Sequence, residues 1–195
     1  ILPIANIEFL NMLTFTAYPI SFEIVGTKEE IRVQFVCNEL DKSRVSSHIK
    51  AYFPTAILRD VDVESFGFNK EKDVAIADFG MNNEFVRPIF SADSFAIDPL
   101  TSLIATMDSL QNDDVVVFQT IFKGITSPLA KDIPYAVSDG AGGSFFGDAP
   151  EMPKCAEDKT SNPLFSVIMR IGTQGNTDIR SQYLEQELAR SIPAV

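Results

Sequence analysis

Tryptophan is absent from this 195-residue chain, histidine occurs once, at His48, and cysteine twice, at Cys37 and Cys155. Zinc sites need three or four His, Cys or acidic ligands converging. One histidine with two scattered thiols offers no such set, so no metal and no other cofactor is expected. The cysteines form no C-x-x-C and lie far apart, which fits inert thiols in a reducing compartment better than a disulfide framework. A hydrolase built on a Ser-His-Asp triad would rest on His48 alone, beside the apolar stripe of a predicted helix, where histidine is usually structural or solvent-facing. Positive charge is scarce: 16 Lys and Arg against 27 Asp and Glu leave a formal net charge of -11. Nucleic-acid binding draws much of its affinity from Lys and Arg neutralising phosphates, so no direct nucleic-acid surface is expected. Long apolar runs are missing too, and none reaches the 18 or more residues of a membrane-spanning helix. The opening ILPIANIEFLNML lacks the basic start of a signal peptide. A chain that begins at Ile1 rather than Met is expected to be a piece of a longer protein, soluble in itself.

What is present is enough apolar material for a core: 45% hydrophobic residues with 22% charged excludes intrinsic disorder, a collagen-like fibre and a coiled coil. The length suits one large domain or two small ones. Acid is concentrated in the middle, with twelve Asp and Glu from Asp60 to Asp114 against only Lys70, Lys72 and Arg87. Such a stretch serves as a solvated face or as a docking face for a basic partner.

Ile7 to Ala17 carries Phe9, Leu10, Leu13 and Ala17 at helical spacing and ends before Pro19, which predicts a short leading helix. Phe22 to Val25 and Ile31 to Val36, joined by GTKEE, read as a hairpin. Asp41 is the expected cap of a helix on which Val45, Ile49 and Phe53 recur every fourth residue until Pro54. Thr55 to Val63 alternates like a strand, and Val74 to Phe79 is strand-like as well. Asp98-Pro99 starts a helix running to Leu110 with an apolar stripe. Val115 to Phe122 and Leu164 to Ile171 are strong β runs, and a helix is expected from Asp178 to Ile192. The implied class is α+β: two successive ferredoxin-like, split βαβ units with antiparallel sheets and helices on one face. Residues 1–20 form the leading helix, 21–73 the first unit, and 74–195 the second, with a long insertion at 123–163. The second unit lacks a final strand, which is expected beyond Val195.

The insertion holds DGAGGSFFGD, Asp139 to Asp148. It lacks the GxxxxGK[ST] pattern whose Lys and hydroxyl engage phosphate and magnesium, and no strand and helix frame it. Asp139, Gly140, Gly142, Gly143, Phe145, Phe146 and Asp148 are therefore expected to form a mobile interaction loop rather than a nucleotide site. The acids Asp60, Asp62 and Glu64 imitate the start of a calcium loop, but the sixth position is Ser65 where glycine is required.

The runs SFEIVGTKEEIRVQFVC (Ser21 to Cys37), IKAYFP (Ile49 to Pro54), FVRPIF (Phe85 to Phe90), DPLTSLIATMDSL (Asp98 to Leu110), DVVVFQTIF (Asp114 to Phe122) and PLFSVIMRI (Pro163 to Ile171) together resemble the region ahead of the motor in HerA/FtsK-type ATPases of conjugative type IV secretion. The shared features are apolar strands in a fixed order, without a catalytic signature. The resemblance implies a non-catalytic accessory domain of a membrane-associated, DNA-translocating ATPase. It would lie on the cytoplasmic side of the membrane, reach that membrane only through other parts of the parent, and contact other subunits of the same protein or a secretion channel. No catalytic residue carries over. A stand-alone protein-binding adaptor with no ATPase attached is the competing reading.

Overall fold

The computed structural model describes residues 18–61, 67–89, 94–125 and 129–192. Among the described residues five antiparallel strands and five helices form a mixed α+β arrangement. Strand β1 (Ile20–Thr27) and strand β2 (Ile31–Val36) form the expected hairpin, closed where the Thr27 N–H donates to the Glu30 carbonyl at 2.9 Å. Their β-branched and aromatic residues suit a pleated surface. Helix α1 (Glu39–Tyr52) follows at once. Its cap is Asn38, three residues before the expected Asp41, and the Asn38 carboxamide oxygen accepts from the Leu40 N–H at 3.0 Å. The helix ends at Phe53, ahead of Pro54, which lacks the N–H to continue it.

Strand β3 (Ala75–Phe79), helix α2 (Pro99–Met107) and strand β4 (Val115–Gly124) come next. Asp98 caps α2 by accepting from the Leu100 N–H at 2.9 Å, with Pro99 in the first turn as the sequence implies. Helices α3 (Leu129–Val137) and α4 (Met152–Thr160) lead into strand β5 (Phe165–Gln174) and helix α5 (Asp178–Ser191). The strand order is β2-β1-β4-β5-β3 with every neighbouring pair antiparallel. Since β3 and β4 are both antiparallel to the β5 between them, they run parallel to each other. Joined through α2, they make one split βαβ arrangement. The β1–β4 pairing also brings strands from either side of residue 73 into the same sheet.

Helices α2 and α5 cover one face of this sheet. Leu103, Met107, Leu184 and Leu188 bury against Ile24, Val116, Phe118 and Ile171 from the three central strands. Gly26 lets α2 approach: a Cβ there would sit 3.0 Å from Val116 and 3.1 Å from the Met107 sulfur.

One expectation is corrected. Thr55 to Val63 was expected as a strand, but its described residues, up to Val61, form none and pair with nothing in the sheet, and Ile57 is exposed. Alternation alone cannot supply a neighbour for a strand. Within the long insertion expected at residues 123–163 lie the end of β4 and the pair α3 and α4, whose Ile133, Val137, Met152 and Ala156 bury against one another as a second small core. Pro134 lies inside α3, and Pro153 lies in the first turn of α4, where a missing N–H costs nothing. The predicted leading helix Ile7 to Ala17 lies outside the described residues.

Candidate functional site

The predicted loop links α3 to α4 and is a compact turn. Ser138 and Ser144 pair as an isolated antiparallel bridge. One oxygen of Asp139 accepts from the backbone N–H groups of Ala141 and Gly143, each at 2.8 Å, which holds this carboxyl below the ordinary aspartate range. Gly140 and Gly142 take φ of 78° and 93°, a region that favours glycine. The Phe145 N–H donates to the Val137 carbonyl at 2.8 Å, tying the turn to the end of α3. The structure therefore gathers Asp139, Gly140, Gly142 and Gly143 into one turn. It presents Phe145 and Phe146 outward as an edge-to-face pair, ring centroids 5.4 Å apart, with Asp148 exposed beside them.

A larger apolar surface lies on the arm formed by α1 and the residues after it. No residue of α1 is buried, and the helix packs extensively against no described strand or other helix. The expected stripe is only half covered: Val45 and Ile49 are partly exposed and Phe53 fully so. Tyr52, the last residue of the helix, and Ile57 beyond it are 79% and 81% exposed, with Phe53, Leu58 and Val61 also open. An ion pair of 3.1 Å between Lys42 and Asp60 holds the following segment alongside the helix. His48 is exposed on the same helix.

The sheet face opposite α2 and α5 carries a polar network that sequence reading missed. Glu23, in the middle of β1, is 1% exposed. Its carboxylate accepts from Ser21 Oγ at 2.8 Å, Gln119 Nε2 at 2.6 Å and Gln34 Nε2 at 2.7 Å. Arg170 Nε donates to Gln119 Oε1 at 2.6 Å, and Arg32 Nε donates to Gln34 Oε1 at 3.2 Å. Register explains the convergence: Glu23 lies opposite Gln34 on one side and Gln119 on the other, and Gln119 lies opposite Arg170. The signal in sequence is a polar residue at the same alternate position of four strands, readable only once the strand order is known. A carboxylate saturated by neutral donors and closed to solvent does structural work rather than acid–base chemistry.

Segment 81–89 is clamped to α4. Arg87 is held by Glu84 and Glu151, each at 2.7 Å, and these contacts raise the guanidinium pKa and lower both carboxyl values. Lys159 donates to the carbonyls of Phe85 and Arg87 and lies 5.0 Å from the Phe85 ring centroid, and burial lowers its pKa. An open cavity of about 310 Å³ beside this clamp is lined by Met81, Asn82, Asn83, Arg87, Ile89 and Cys155, among others. Arg87, the one cation among its described lining residues, is already paired with the chain's own acids, so the cavity is poorly suited to an anion. Cys37 and Cys155 are free thiols, and burial with Asp41 and Glu39 nearby raises the Cys37 pKa, disfavouring the nucleophilic thiolate. Among the described residues no group of three or more His, Cys, Asp or Glu could hold a metal ion. Among them also, no helix is long and apolar enough to cross a membrane.

Residues 8–137 match the model of a family described as a domain of unknown function, DUF8128. No curated protein and no solved structure matches the chain.

Proposed function

The chain belongs to the DUF8128 family, and we propose that it is a non-catalytic docking domain through which a larger protein assembles. The observation that carries this reading is the arm: a fourteen-residue helix with no buried residue, ending in the exposed Tyr52 and continued by the exposed Phe53, Ile57, Leu58 and Val61. Isolated helices of that length are marginal in water, and their stability normally comes from packing an apolar face. Large apolar side chains grouped on a surface mark interaction sites. The exposed pair Phe145 and Phe146 adds a second contact device. The acidic stretch that begins at Asp60 favours contact of the arm with a basic patch of its partner and opposes only direct arm-to-arm pairing.

The finer parts of the proposal rest on the sequence resemblance. They are a position ahead of a HerA/FtsK-type motor in conjugative type IV secretion, contact with sister subunits or a secretion channel, and a place at the cytoplasmic side of the membrane through the parent. A relation to two ferredoxin-like units belongs here as well, supported by the split arrangement of β3, α2 and β4 about β5.

The test is sedimentation of the full-length parent protein with and without the paired substitution Phe53→Asp and Ile57→Asp. Both positions are exposed, so the melting temperature of the chain should move by no more than about 2 °C, while assembly of the parent is lost. Normal assembly of the variant parent would sink the reading.

A further inference from the structure

Strand β2 lies at one end of the strand order, and among the described residues its one neighbour is β1. The bond that closes the hairpin, from the Thr27 N–H to the Glu30 carbonyl, fixes which way its backbone faces. In an antiparallel pair, residues that exchange hydrogen bonds alternate with residues that do not. Glu30, Arg32, Gln34 and Val36 therefore turn their N–H and C=O groups toward β1, and Ile31, Val33 and Phe35 turn theirs away from the sheet. Such a row is a template for another strand. Devices that ordinarily blunt an edge are weak here: β2 contains no proline, and its one charge, Arg32, is held by Glu30 at 3.4 Å and donates to Gln34. The opposite outer strand, β3, carries the exposed carboxylate of Asp78 instead. Val33 and Phe35 are 56% and 40% exposed, and the Phe35 ring is held by Phe22 at 5.2 Å. Helix α1 leaves β2 at Asn38 and packs extensively against no described strand.

The side chains identify the strand that fits. About Val33, the run Ile31-Arg32-Val33-Gln34-Phe35 alternates apolar and polar residues identically in both directions. A second copy brought up antiparallel about a two-fold axis at Val33 sets Val33 against Val33, Ile31 against Phe35, and Arg32 against Gln34. The outward N–H and C=O groups of both strands then meet in register, forming about six new hydrogen bonds. On the core side the contact adds aromatic and β-branched cross-strand pairs. On the other side Arg32, which already donates to a glutamine amide of its own strand, faces the same group of the second copy. Beyond the run, Lys28 falls opposite Asn38 and Glu30 opposite Val36, so no charge stands directly against a like charge. We propose that two copies of this chain pair through β2, antiparallel and centred on Val33, to make one continuous sheet. The same patch serves both copies, so the contact closes as a dimer. It uses none of the arm's exposed residues and does not rest on the docking role of the arm.

The experiment sediments the 195-residue chain over a range of concentrations at about 0.5 M salt, which screens the repulsion between two copies of formal charge -11. A reversible monomer–dimer equilibrium is expected. Val33→Lys sets two ammonium groups against each other at the axis and should weaken the dimer at least about tenfold, whereas Phe53→Asp with Ile57→Asp should leave it unchanged. A second measurement stands even if Val33→Lys does not fold. With Cys37 and Cys155 replaced by alanine, Val33→Cys should oxidise to a disulfide-linked dimer. Ile31→Cys and Phe35→Cys should cross-link poorly when each is alone and readily when the two are mixed. A chain that stays monomeric throughout the range overturns the proposal, as does a dimer that survives Val33→Lys or one that cross-links through residue 31 alone as readily as through residue 33. Loss of the dimer with the arm variant and its retention with Val33→Lys would overturn this contact and leave the arm as the docking surface. Normal assembly of the parent carrying the arm variant would sink the docking role and leave this contact standing.

Discussion

Replacing Glu23 by glutamine changes one oxygen for one NH2 group and almost no volume, yet it should be among the costly substitutions in this chain. The reason is the direction of the neighbouring amides. Arg32 donates to the Gln34 oxygen and Arg170 donates to the Gln119 oxygen, so both amides are turned with their NH2 groups toward residue 23. An arginine has no acceptor, and neither amide can flip without setting donor against donor. Residue 23 must therefore accept on both oxygens, which a carboxylate does and a carboxamide cannot. Glutamine keeps two of the three hydrogen bonds at best. Each falls from the roughly 1.5–3 kcal/mol of a charged bond toward the roughly 0.5–1.5 kcal/mol of a neutral one, and a third contact becomes a buried unmatched donor at about 1–3 kcal/mol. Relief from no longer burying a charge offsets part of this. The expected net loss is about 2–4 kcal/mol, measured by urea denaturation with an unchanged denaturant slope. A second arm isolates the cause: in the Arg170→Met background Gln119 is free to flip, so the cost of Glu23→Gln should shrink by about 1 kcal/mol in a double-mutant cycle. A loss below about 0.5 kcal/mol in the first arm, or strict additivity in the second, would refute the relay.

Two further outcomes follow from other polar contacts. Asp114 is buried at the start of β4 and accepts from Arg180 Nε at 3.2 Å, from an Arg180 terminal nitrogen at 2.6 Å and from the Gln111 N–H at 2.9 Å. Arg180→Met leaves the carboxylate with the Gln111 contact alone, and should cost about 2–3 kcal/mol in the same denaturation assay. That is less than a fully enclosed pair, because Arg180 is itself partly open to water. Asp139 has its folded pKa held below the unfolded value by the Ala141 and Gly143 N–H groups, so its contribution to ordering the turn is fully present above the ordinary aspartate pKa and is lost as pH falls through the lower, folded value. Amide shifts of Ala141 and Gly143 followed by NMR should titrate together below the usual aspartate range, and shifts that stay flat to the acid limit of folding would contradict this.

The elements readable in sequence were those whose local pattern and tertiary role agree. The β1–β2 hairpin, α2 behind Asp98-Pro99, β4 and α5 each combine a start signal with a face that the fold buries. Agreement between levels is what makes such segments legible. Thr55 to Val61 has the alternation of a strand but pairs with neither edge of the sheet, and pattern cannot report a missing neighbour. The helices α3 and α4 hid behind composition: Pro134, Pro153 and the glycines between them read as breakers, although one proline sits in a first turn and the glycines fall in the connecting turn. The loop's residues were legible as a group, but the Asp139 turn that organises them is made of backbone N–H groups that no side-chain pattern announces. Glu23 marks the deeper limit. In sequence it is one of 27 acids at a plausible outward position of a strand. It becomes central only because β1 lies between β2 and β4, which brings Gln34, Gln119 and Arg170 beside it from residues distant along the chain. A polar residue in a strand is ordinarily read as facing water. Here strand order, which sets who stands opposite whom, converts that residue into the most enclosed charge in the sheet, and this is information that resides in pairings between segments rather than in any one of them.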